Sequence, residues 1–247
     1  MRYEFLLPDA LQKAKDERTP MILPIGTIEY HGPHCSFGCD GLIAQGMAYK
    51  LEKRRPVVVL PTFWYGISSY AVGGPEKGTI NVTFDSLKAT LSDLFASMLD
   101  GGCRNIVALI HHQYEQETYM PMTLAAASAG KTSTMAFLER ERGNGWWGDN
   151  SSAEYYNQLD GADNPFNWIR VLPCMSTAAQ NATGYDHAGK YECSLLSALY
   201  PEAVSLGRVA SSDEWFIQSA KDASPEYGAE MLKISLDALE KRIWSAD

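Results

Sequence analysis

Met21-Ile22-Leu23-Pro24-Ile25-Gly26 decides the fold class. The run is continuously apolar rather than alternating, so it reads as a strand buried on both faces and closed by glycine. Working outward, Asp40 to Lys53 reads as a helix with Leu42, Ile43, Met47 and Leu51 on one face. Pro56-Val57-Val58-Val59-Leu60-Pro61 is β-branched and bounded by prolines, which makes it a second strand. Asp85 to Leu99 carries Leu87, Leu91, Leu94, Phe95, Met98 and Leu99 at helical spacing and ends at Gly101-Gly102. Asn105 to Ile110 is a third buried strand. A helix is expected over Tyr119 to Ala129, broken by Gly130; further helices are expected over Cys193 to Leu199 and Ala229 to Trp244. Apolar strands alternating with helices predict a three-layer α/β/α fold with a largely parallel central sheet, as one domain over residues 1–247. Residues 63–79 and 140–170 read as long irregular stretches, and such loops are usually functional.

Composition narrows the class of function. The 247 residues are 45% hydrophobic and 21% charged, enough for a sizeable core without a staple. The formal net charge of −9 argues against nucleic acid and against an anionic membrane surface as partners. The beginning of the chain has no apolar leader-like run, and no stretch reaches 18 apolar residues, so the expected location is cytoplasmic. The five cysteines are odd in number and irregularly spaced, as free thiols would be.

The five histidines fall in three short clusters, His31/His34, His111/His112 and His187, each with carboxylates nearby: Glu29 and Asp40, Glu115, and Asp186 with Glu192. Imidazole with carboxylate is a ligand set for zinc, manganese or iron. Glu29 and His31, two residues apart on an extended segment, point the same way. Asp40 opens a helix, where the dipole favours a carboxylate but where a simple N-cap is also an ordinary reading. A tetrahedral structural zinc site of His31, His34, Cys35 and Cys39 is a competing reading, against which stand the unpaired spacing and the ample core. The clusters follow strands or long loops, as the rule for ligands at the carboxyl ends of parallel strands requires.

Ile25-Gly26-Thr27-Ile28-Glu29-Tyr30-His31-Gly32-Pro33-His34, with Gly38 and Asp40, resembles the first motif of the creatininase (creatinine amidohydrolase) family. Gly78-Thr79-Ile80, residues 102–107, and Asp186-His187-Ala188-Gly189 with Glu192-Cys193-Ser194 extend the resemblance over roughly residues 20–205. The resemblance implies a binuclear metal hydrolase with two divalent ions per chain, a small-molecule amide substrate, and a homo-oligomeric assembly, a hexamer in the family. Carried over, Glu29 binds one metal, His31 the other, and Asp40 bridges them, so that water shared by the two ions ionises near neutral pH. His187 matches the catalytic histidine that protonates the leaving nitrogen, Asp186 replaces a Glu that assists it, and Glu192 orients a ligand.

The second motif departs from the family's Asn-Gly-His-Tyr-Glu-Asn. A gapless match places Glu115 at the ligand glutamate and Gln113 at the ligand histidine. On an extended segment His111, Gln113 and Glu115 share a face and His112 turns away, which favours Gln113 and Glu115 as ligands with His111 nearby; a one-residue shift brings in His112 instead. Trp64, Tyr65, Tyr70, Trp146 and Trp147 lie in the two long loops as a candidate aromatic lid, with ordinary packing as the other reading. Cys193 reads as a small buried residue. The function expected is hydrolysis of a C–N bond in a small, cyclic amide by metal-activated hydroxide; the alternatives are a deformylase or peptidase of the same type, and a homologue that binds metal or ligand without catalysis.

Overall fold

The computed structural model describes residues 1–112, 120–159 and 161–244. Four parallel strands, β1 (Met21–Ile25), β2 (Val58–Val59), β3 (Ile106–Ile110) and β4 (Ile169–Pro173), form one sheet in the order β2-β1-β3-β4. β1 pairs with β3 from Met21↔Ile106 to Ile25↔Ile110, and β3 pairs with β4 from Ile106↔Ile169 to Ile110↔Pro173. Every residue of β1 and β3 is buried, which is why their sequences do not alternate.

The helices are α1 (Pro8–Asp16), α2 (Cys39–Glu52), α3 (Phe84–Asp100), α4 (Pro121–Arg142), α5 (Thr177–Thr183), α6 (Lys190–Leu199) and α7 (Pro225–Trp244). Alternate strand residues divide between two cores. Met21, Leu23, Ile25, Ile106, Ala108 and Ile110 pack with Leu87, Leu91 and Phe95 of α3 and Met122, Ala125 and Ala129 of α4. Ile22, Val107, Leu109 and Leu172 pack with Ile43 and Met47 of α2, Leu195 and Leu196 of α6, and Leu236 and Leu239 of α7. The layers are therefore α/β/α, as the sequence predicts. Among the described residues no helix is long and apolar enough to cross a membrane.

Three local expectations are corrected. Gly130 does not break its helix, because α4 continues to Arg142. A Cβ on Gly130 would lie 2.7 Å from Ile169 Cγ2, so the glycine lets α4 press against β4. The stretch expected to be irregular to residue 170 already enters β4 at Ile169. That strand sits at the sheet edge and is less completely buried than β1 and β3, with Arg170 interrupting its apolar pattern. The third motif helix starts at Lys190 rather than Cys193.

Candidate metal centre

β1 ends at Ile25, and Gly26 lies so close to α2 that a Cβ there would meet the backbone of Gly41 and Asp40. This contact brings the first turn of α2, with Asp40, over the carboxyl end of β1. The following segment is pinned on its other side: Ile28 bridges Ile80, and Tyr30 N–H donates to Thr79 Oγ1 at 3.1 Å. Glu29, His31 and Asp40 are consequently held within the protein, each 2% exposed or less.

Their atoms converge with the end of β3. His31 Nε2 is 4.0 Å from Asp40 Oδ2 and 3.5 Å from Glu192 Oε2. His112 Nδ1 is 3.5 Å from Glu29 Oε2 and 3.4 Å from Asp40 Oδ2. His111 Nε2 is 3.2 Å from Glu192 Oε1. The expectation that His112 turns away is corrected: strand geometry stops at Ile110, so alternation no longer governs the two residues that follow, and both imidazoles enter the cluster. The placement of the pair directly after a strand's carboxyl end was the signal available for it. Gln113 and Glu115 lie outside the described residues.

The donor set fits divalent ions. Glu29 Oε2, His31 Nε2, Asp40 Oδ2 and His112 Nε2 are buried without a hydrogen-bond partner, a costly arrangement unless a ligand completes it. Glu29, Asp40 and His112 each offer a ligand atom within 4.8 Å of the others, and His31, Cys39 and Glu192 form a second such group. A third comprises Asp40, His111 and Glu192, and a fourth Glu29, His31 and His187. His31 Nδ1–H donates to the Glu29 carbonyl at 2.9 Å. Since a carbonyl only accepts, this bond leaves Nε2 as the lone-pair nitrogen, as metal-binding imidazoles require. His34 Nε2–H donates to the Ala188 carbonyl at 2.9 Å, and among the described residues His34 joins none of the converging donor groups, which leaves the compact His31/His34/Cys35/Cys39 cage without its second histidine.

Charge reinforces the reading. Burial pushes the Glu29 carboxyl up to about 7, with His112 opposing the rise. For His31 burial works against the charged ring, but the Glu192 and Asp40 carboxylates outweigh it and raise the imidazole to about 9. For His111 burial is likewise overcome, by Cys174 and Glu192, to about 10. Glu192 is held well below the usual carboxylate range against its own burial by His31, His111 and His187. Buried carboxylates that must borrow protonated imidazoles for charge balance are suited to exchanging those protons for a cation.

The third motif closes the site. His187 Nε2–H donates to the Tyr30 carbonyl at 3.2 Å, leaving Nδ1 as the proton acceptor. Its ring lies 4.3 Å from that of His31 and 5.5 Å from that of Phe216, and burial followed by the charge of His31 lowers its pKa. Asp186 uses both oxygens on the first turn of α6, accepting from Tyr191 N–H and Glu192 N–H at 3.0 Å each. Glu192 accepts from Ala188 N–H at 2.7 Å and also stands beside His31 and His111, in direct contact with the cluster rather than behind it. Ala188 has φ +54°, strain of the kind that collects at functional sites.

Over these groups lies a cavity of about 350 Å³, whose apolar wall includes Val72, Ile110, Met175 and Tyr185. The aromatic lid expectation divides. Trp64 is wedged against Gly38 and Gly41. Trp146 packs tilted on Phe166 and Trp147 edge-to-face on Tyr155; this cluster stands at the opposite, amino end of the strands, where Asp163 pairs with Arg18 and the Trp168 carbonyl accepts from Ile106 at the start of β3. It is at that far edge because α4 runs back antiparallel to β3. Trp146 and Trp147 therefore do not cover this chain's own cavity.

Comparison with known proteins gives the family and the fold. The profile of the family Creatininase, described as creatinine amidohydrolase, matches residues 6–243. The creatinine amidohydrolase of Pseudomonas putida is 25% identical over 196 residues, covering 76% of this chain and 67% of that protein. The 3-dehydro-scyllo-inosose hydrolase of Thermotoga maritima (strain ATCC 43589 / DSM 3109 / JCM 10099 / NBRC 100826 / MSB8) is 29% identical over 105 residues, 42% of this chain and 32% of that one. A crystal structure of creatinine amidohydrolase superposes with a TM-score of 0.72 at 21% identity, covering 98% of this chain and 96% of the other. A manganese form of creatininase gives 0.71 at 20% identity, with the same coverage.

Proposed function

Because the chain belongs to the creatininase family, a family of amide hydrolases, we propose that it is a metal-dependent amidohydrolase opening a small cyclic amide in the cavity lined by Glu29, His112, His187 and Glu192. The observation that carries this reading is that Glu29 Oε2, His31 Nε2 and Asp40 Oδ2, buried without hydrogen-bond partners, gather with the imidazoles of His112 and His187. Glu29, Asp40 and His112 would hold one divalent ion, zinc or manganese; His31 and Glu192 would hold a second, with Asp40 near both. When bound, such ions supply a nucleophile from water at neutral pH and polarise the amide carbonyl.

The chain's own groups do the rest. His187 is largely the free base near pH 7, because burial and His31 disfavour its charged form. Its Nδ1 takes a proton as the nucleophile forms and returns it to the departing nitrogen. The Tyr30 carbonyl fixes the tautomer that makes this possible, and Phe216 packs on the ring. Tyr30 is itself braced by its hydroxyl, which donates to Glu214 Oε2 at 2.9 Å. Val72, Met175 and Tyr185 along the cavity wall limit water around a flat, partly apolar ring.

The test is metal analysis with a panel of small amides, creatinine first because a relative is named for it, and including the inosose of the Thermotoga relative. The expected result is about two ions per chain, amide hydrolysis abolished by a chelator, and recovery with zinc or manganese. Full activity without ions overturns the reading. Bound ions with no turnover of any amide favour the binding homologue, and turnover of the inosose alone favours a hydrolase of non-amide rings.

A further inference from the structure

Cys39 is the first residue of α2 and is fully buried. Its Sγ, a nitrogen of His31 and a carboxylate oxygen of Glu192 lie within 4.8 Å of one another. His31 Nε2, 1% exposed at the residue level, has no hydrogen-bond partner and stands 3.5 Å from Glu192 Oε2. Donor atoms around one zinc ion sit about 3–4 Å apart, given bonds of about 2.0 Å to nitrogen and oxygen and about 2.3 Å to sulfur. The group therefore needs only a small contraction to close on an ion.

We propose that Cys39 is a sulfur ligand of the ion held by His31 and Glu192, which makes that half of the centre select zinc over manganese. The inference deepens the metal reading above and rests on it. Cysteine, histidine and carboxylate together are a zinc set, whereas manganese favours oxygen and nitrogen. The other two sulfurs nearby are placed differently. Cys193 Sγ lies 3.3 Å from His34 Nε2 and 3.4 Å from the Ala188 carbonyl, outside every group that converges on His31. Cys35 is half-buried, and its thiol lies between those of Cys39 and Cys193, beside the site but outside the donor groups that converge on His31. The competing role for Cys39 is that of a small apolar residue among Ile43, Met47 and their neighbours.

The experiment uses the full chain loaded with cobalt(II) and, separately, with zinc. A cobalt ion bonded to sulfur gives a near-ultraviolet sulfur-to-cobalt charge-transfer band. The expected result is that band in the unaltered protein, its loss in Cys39→Ser, and its retention in Cys35→Ser and Cys193→Ser. Zinc-over-manganese selectivity should fall about ten-fold or more in Cys39→Ser, since a soft donor is exchanged for a hard one. Zinc-edge absorption on the unaltered chain should show sulfur at about 2.3 Å, a measurement that decides the matter even where Cys39→Ser fails to fold. Stoichiometric cobalt and zinc with no sulfur bonded overturns the inference and leaves the metal centre standing. A band that survives Cys39→Ser and vanishes in Cys35→Ser overturns it by assigning the sulfur elsewhere. Failure of zinc, cobalt and manganese all to bind overturns the metal reading together with it.

Discussion

The two ends of the strands, the amino and carboxyl edges of the sheet, carry cavities of similar size and opposite chemistry. At the amino edge a cleft of about 280 Å³ is lined by Arg18, Arg104, Asn105 and Arg170. These groups answer one another: Arg170 donates to Asn105 Oδ1 at 2.7 Å and to the Arg242 carbonyl at 2.9 Å, and Arg18 pairs with Asp163 at 2.8 Å. Arg104 donates to the Leu99 carbonyl at 2.7 Å and stacks on Phe137 and Trp168. At the carboxyl edge Glu29, His31, Asp40 and His112 keep buried ligand atoms with no partner. Cavity volume does not separate the two edges, whereas the gathering of metal-ligand atoms of Glu29, His31, Asp40 and His112 does, because carboxylates and imidazoles buried together stay costly until something binds.

That contrast can be broken most severely at Asp40, which stands beside both His31 and His112. Asp40→Ala should reduce bound metal from about two ions to less than one and remove measurable hydrolysis, read by metal analysis and amide turnover. Next, His187→Ala should retain the metal and lower kcat by about 10²–10⁴-fold, the ordinary size of a general acid–base contribution; a loss of metal instead would make His187 a ligand.

A third expectation concerns pH. His31 and His111 are raised in the folded, metal-free protein to about 9 and about 10, above the ordinary imidazole value of about 6.5. A raised folded pKa contributes stability that is complete below about pH 6.5 and lost as pH rises through 9 and 10. The Tm of metal-free protein should therefore fall between pH 7 and 10. Metal affinity should rise over the same interval, as protons cease to compete for the ligands. A Tm that rises with pH would contradict this charge balance.

Fourth, Phe95→Ala, in the core beside the strands, should cost about 3–5 kcal/mol in denaturant unfolding while leaving the metal content of the folded fraction unchanged. The smallest effect belongs to the amino edge: Trp147→Ala should change kcat less than two-fold and stability by about 0.5 kcal/mol or less, because the half-exposed indole meets Tyr155 and the exposed Tyr156 edge-to-face far from the cavity. A large drop in turnover there would show that the two edges communicate.

Much of this was legible in the order of residues. The unbroken apolar runs of β1 and β3 declare burial on both faces, and burial on both faces requires helices above and below. Glu29, His31 and Asp40 could be singled out because a strand end followed by closely spaced ligand types is a local signal. Arg170 hid β4 by interrupting a short edge strand. Gly130 suggested a helix end because its partner, Ile169, is distant in sequence.

What tertiary structure decided is which donors meet. Periodicity assigned His112 to the wrong face because the chain leaves strand geometry after Ile110, and no local rule specifies its direction from there. Glu192 and Cys39, 153 residues apart, become neighbours of His31 only when α6 and α2 pack side by side. The sequence by itself determined the layers, since hydrophobic periodicity acts locally and sums along the chain. The composition of the metal centre depended on packing, because the ligand atoms converge from the ends of several elements and their separations are fixed by the core beneath them.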